Sequence, residues 1–89
     1  MADIKRIVAR IGELAQRQNN VELSDIQWVV NQLRENGYAT SERQNDHNTM
    51  FSVKGRRFGV CHHNRGSKQI KARYVREFLD AMSDLGLYD

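Results

Sequence analysis

The sequence predicts a small α+β domain in the order α-α-β-β-β-α, with a three-stranded antiparallel sheet packed on helices. Three observations predict it. Two N-terminal segments and one C-terminal segment carry apolar residues at helical spacing. Between them, residues 38–61 alternate apolar and polar side chains around a Lys54-Gly55 turn. At 89 residues the chain suffices for one compact unit whose core must be economical.

The first helix runs from about Asp3 to Gln18. Ile4, Ile7, Val8, Ile11, Leu14 and Ala15 form one stripe. Asp3 is the expected N-cap, its charge suited to the positive end of the helix, and Gln18-Asn19-Asn20 ends the segment with side chains that compete for backbone hydrogen bonds. A second helix is expected from Ser24, with Ser24 and Gln27 as a capping box. Ile26, Val29, Val30 and Leu33 form its buried stripe, and Gly37 supplies the left-handed C-terminal position. Trp28 lies one residue off that stripe and is expected to cover the seam against the first helix.

Residues 38–44 alternate weakly and suit an edge strand, and Asn45-Asp46 is turn chemistry. Thr49 to Val53 is the strongest strand, with Phe51 and Val53 on one face and Met50 and Ser52 on the other. Beyond Lys54-Gly55, Phe58 and Val60 form the matching face of a strand ending at Cys61. Asn64-Arg65-Gly66-Ser67 reads as a loop. The last helix is expected over about Gln69 to Leu85, with Val75, Phe78, Leu79 and Met82 facing inward. The sheet would then bury Phe51, Val53, Phe58 and Val60 against Val29, Leu33, Val75 and Phe78.

The charge is segregated. From Lys54 to Arg76 there are eight Lys or Arg residues and no acid, although the whole chain carries a net charge of only +3. Such a stretch points to a polyanionic partner, and nucleic acid is the first to consider. Lys68, Lys71, Arg73 and Arg76 fall around the first turns of the last helix, with Asp80 and Asp84 towards its end. This order opposes the helix dipole, at about tenths of a kcal/mol per charge. The cations therefore serve something other than helix stability. One cysteine excludes an intramolecular disulfide and fits a reducing, cytoplasmic setting. No stretch reads as a signal peptide or membrane span, so no membrane partner is expected. Cys61-His62-His63 does not make a zinc site, since neighbouring strand residues point to opposite faces and too few further ligands exist.

From Ser24 onward the series His47, Gly55-Arg56-Arg57, His63, Ile70-Lys71 and Leu85-Gly86-Leu87, in that order on those elements, resembles the HicA family of bacterial toxins. The resemblance covers about two-thirds of the chain and implies a double-stranded-RNA-binding-domain-like α-β-β-β-α fold over residues 23–89. Residues 1–22 form an additional N-terminal helical extension. The chain departs from the family pattern at Gln44-Asn45-Asp46 ahead of the histidine, at Val60-Cys61-His62, and at Arg73-Tyr74.

The resemblance implies an mRNA interferase, an endoribonuclease of a type II toxin-antitoxin system that cuts without a metal or other cofactor. Its partners would be mRNA and a HicB-like antitoxin. His47 would be the catalytic residue, histidine being suited to proton transfer near neutral pH. Arg56, Arg57 and Lys71 would hold the phosphate. The second proton-transfer group is not identified by the sequence, His63 being a candidate, and His63, Arg65, Lys68 and Arg73 extend the RNA-binding surface. Two other classes compete with this reading. A non-catalytic RNA-binding module would need the cations but not His47, and a protein–protein adaptor docking through the first helix would need neither.

Overall fold

Each of the three helices begins where an extended residue hands the chain to an amphipathic segment. The computed structural model describes residues 3–44, 48–61 and 70–88. The elements are α1 (Ile4–Gln16), α2 (Leu23–Glu35), β1 (Thr40–Gln44), β2 (Asn48–Val53), β3 (Arg56–Cys61) and α3 (Ala72–Asp84). This is the expected α+β order, α-α-β-β-β-α. The strands form one antiparallel sheet in the order β1-β2-β3, and no helix among the described residues is long and apolar enough to cross a membrane.

Asp3 caps α1 as expected, its carboxylate accepting from the Arg6 N–H at 2.9 Å. The start of α2 differs from expectation. The N-cap is Glu22 rather than Ser24, and the Glu22 N–H donates to the Asp25 carboxylate at 2.9 Å. The reason lies one residue earlier. Val21 is fully buried and its carbonyl accepts from the Ile70 N–H at 2.9 Å. That bond holds the chain extended up to Glu22, so the helix starts directly after it, with Asp25 placed to cap.

The same bond explains why α3 begins later than its apolar periodicity suggests. Ile70 is buried, and Lys71 is the extended N-cap rather than a residue of the first turn. Gln69, the expected start, lies outside the described residues.

Two helices end alike. After α2, the Tyr38 N–H reaches the Leu33 carbonyl and the Gly37 N–H reaches Arg34, both at 3.0 Å. After α3, Leu87 reaches Met82 at 2.8 Å and Gly86 reaches Ser83 at 3.0 Å. Both are Schellman motifs, with Gly37 at φ +94° and Gly86 at φ +78°. The Leu85-Gly86-Leu87 tail thus turns the chain sharply and tucks Leu87 into the core. A Cβ on Gly86 would meet nothing within 4 Å, so Gly86→Ala should cost only the left-handed backbone penalty, about 1–2 kcal/mol. Urea unfolding should show a lower midpoint with an unchanged slope.

The sheet buries one face. Thr49, Phe51 and Val53 of β2 and Phe58 and Val60 of β3 are buried, and their alternates are not. Lys54 and Gly55 connect the two strands with φ of +52° and +84°, the left-handed pair that suits a two-residue hairpin. That turn sets Phe51 opposite Phe58. Their rings stack at 5.2 Å, and Phe78 from α3 meets Phe58 edge-on at 5.6 Å. Ile7, Ile11 and Leu14 of α1 belong to the same core as Ile26, Val29 and Leu33 of α2 and Val75, Phe78 and Met82 of α3. Trp28 packs against this core with the Arg10 guanidinium 4.7 Å over its ring, joining α1 to α2 as expected.

Candidate nucleic-acid interface

Among the described residues, the helices cover one side of the sheet and leave the other open. Glu42 of β1 accepts from Gln27 of α2 at 3.0 Å, which fixes Glu42 on the helix side and its neighbours Ser41 and Arg43 on the open side. By register, Arg43, Met50 and Gly59 form one cross-strand row on the open face, and Ser41, Ser52 and Arg57 form the next. Glu42 is the one acidic residue in the three strands, and it faces the helices. The open face of the described strands therefore carries two arginines and no carboxylate.

The two arginines after the turn separate. Arg57 is exposed on the open face. Arg56 faces the helix side, where its Nε donates to the Asp84 carboxylate at 2.7 Å and its guanidinium also reaches the Arg57 carbonyl at 2.7 Å. Strand alternation is the cause, and it prevents the pair from closing together on one phosphate. The Arg56 and Asp84 side chains are 39% and 63% exposed. A surface pair of this kind contributes about 0–1 kcal/mol. It aims Arg56 without locking it.

Lys71 and Arg73 stand elsewhere. Arg56 at the start of β3 meets Asp84 at the end of α3, so α3 runs back along β3 and its first residues lie towards Cys61. Five strand steps, about 17 Å, separate Arg56 from Cys61. The cations thus divide between the two ends of β3. Arg73 lays its guanidinium over the Tyr74 ring at 4.9 Å and donates to the Tyr74 hydroxyl at 3.2 Å. Asn48, which follows His47 in the sequence, pairs with Cys61, so β2 begins at the same end as Lys71 and Arg73. His47 itself, with His63, Arg65 and Lys68, lies outside the described residues.

Two clefts meet at Met50. A larger one of about 620 Å³ is lined by Arg43, Asn48, Cys61, Tyr74 and neighbouring strand residues. A smaller one of about 340 Å³ is lined by Arg56, Arg57, Phe58 and Asp80. Met50, Gly59 and Glu77 border both. Met50 is 48% exposed, and its side chain rests on Gly59, where an added Cβ would lie 3.4 Å from the Met50 methyl. The sequence reading missed Arg43 and the two clefts. The available signal was alternation along β1, which opposes Arg43 to Met50 once the register is known.

No family model, curated protein or solved structure matches this chain.

Proposed function

We propose that the protein is an RNA endonuclease of the HicA type, cutting mRNA with His47 as its central proton-transfer group. The observation that carries this reading is where the residues bearing the resemblance fall. His47 immediately precedes the first residue of β2, and Gly55-Arg56 joins the hairpin turn to β3. Lys71 caps α3, and Leu85-Gly86-Leu87 closes it. Residues that punctuate the family pattern thus punctuate the elements of this fold.

Cleavage of RNA through its 2′-hydroxyl requires a base for the hydroxyl proton, an acid for the leaving oxygen and cations for charge growing on the phosphate. Histidine provides the first of these near neutral pH. Lys71 and Arg73 supply cations at the end of the sheet where β2 begins, and Arg57 supplies one at the other end. A HicB-type antitoxin is the protein partner this reading assigns, masking the basic surface until the toxin is released.

The test is incubation of the purified protein with a long mRNA in EDTA, beside a gel-shift on the same RNA. Metal-independent cutting is the expected result. Binding without cutting would make the protein an RNA-binding module, and the absence of both would overturn the reading.

A further inference from the structure

The geometry points to the open sheet face as a binding surface for unpaired RNA, with Met50 wedged between two successive bases and Arg43 and Arg57 holding the flanking phosphates. This inference rests on the proposed RNA chemistry and names the form of RNA that the surface takes.

An exposed methionine in the middle of a sheet calls for a reason, because β2 otherwise alternates polar residues outward. Met50 is not loosely exposed. Gly59 opposite it leaves the space in which its side chain lies, so the thioether forms a ridge above the sheet. The clefts on its two sides, about 340 and 620 Å³, are of the size that takes small aromatic ligands. A polarizable sulfur between them suits the faces and edges of bases.

The charges agree with this division. The two exposed arginines of the sheet stand on opposite edge strands, on either side of Met50. The acids, Glu77 and Asp80, come from α3 and border the clefts rather than the open strands. A carboxylate repels phosphate but accepts from the amino group of a base. Bases therefore enter the clefts, and the backbone crosses the arginines.

The form of the RNA follows. In a duplex the bases are paired and stacked, and proteins read phosphates and 2′-hydroxyls across its minor groove. A ridge between two base-sized clefts has nothing to engage there. In a single strand the bases splay onto a sheet surface, where stacking contributes to binding without demanding sequence.

The experiment is fluorescence anisotropy with a labelled, unstructured single strand of about 12 nucleotides, 2′-O-methylated to prevent cleavage, against a duplex of about 16 base pairs. Wild type should bind the single strand at least about tenfold more tightly than the duplex at equal salt. Met50→Ala should weaken single-strand binding by about three- to tenfold with the salt slope unchanged. Met50→Glu should weaken it further. Arg43→Ala and Arg57→Ala should each lower the salt slope by roughly 0.7. Lys5→Ala, at an exposed position of α1, should change neither. Thermal melts of each variant establish that the fold persists. Equal binding of duplex and single strand, or unchanged binding by both Met50 variants, would overturn the inference. If mRNA were still cut in that case, the ribonuclease reading would stand and only the surface would be reassigned. If the protein neither bound nor cut any RNA, both would fall.

Discussion

Deleting residues 1–20 is expected to abolish cooperative unfolding of this protein. Ile7, Ile11 and Leu14 are each fully buried, and α1 packs against both α2 and α3. Burial of three such side chains contributes roughly 5–9 kcal/mol by area. The net stability of a domain this size is about 5–13 kcal/mol. The deletion also bares the apolar faces of α2 and α3 that those residues cover, and it removes the Arg10 partner of Trp28. A calorimetric scan of the fragment should show no cooperative transition. In the full-length chain, Ile11→Asp should lower the melting temperature by more than about 10 °C, because it places an unpaired charge in the core. A fragment melting at the temperature of the intact chain would show that the α1 stripe contributes nothing to the fold.

The second large effect concerns chemistry rather than stability. His47→Ala is expected to slow RNA cleavage by about 10²–10⁴-fold, the usual contribution of a positioned acid–base group. Single-turnover cleavage of labelled mRNA in EDTA measures it. RNA affinity should change little, because the proposed reading assigns the phosphate contacts to arginine and lysine. In cells, a toxic wild type and a harmless His47→Ala variant would report the same difference. Wild-type cleavage rates in the variant would remove His47 from the mechanism. They would direct attention to the other histidines, His62 and His63.

The two predictions separate cleanly. Loss of α1 is expected to act on the fold and hence on every activity, whereas on the proposed reading loss of His47 acts on turnover alone. The Met50 and arginine variants are expected to act on a third quantity, affinity for RNA, and Gly86→Ala on stability by a much smaller amount. Circular dichroism, binding and cleavage on the same proteins therefore assign each residue to one role.

The sequence by itself determined the element order and most of the core. Helical spacing exposed the stripes of all three helices, although Ile4 and Val8 of the first stay exposed, and alternation identified Phe51, Val53, Phe58 and Val60 as the buried face of the sheet. These patterns are local, because the period of a helix or strand dictates which side chains share a face. Gly37 and the Lys54-Gly55 turn were legible for a related reason, since positive φ restricts the residues that fit. Helix starts were less so. The bond from Ile70 to Val21 joins residues 49 positions apart, and it shifted the N-cap of α2 to Glu22 and that of α3 to Lys71. No local pattern reports such a bond. The grouping of the cations was likewise a tertiary matter. Arg56 and Arg57 adjoin in sequence yet face opposite sides of the sheet, and Asp84 claims one of them. Arg43 stood outside the basic stretch altogether, and only the register of three strands set it opposite Met50, in one row with Gly59. Periodicity fixes which face a side chain takes, but strand pairing and helix packing decide what it meets there.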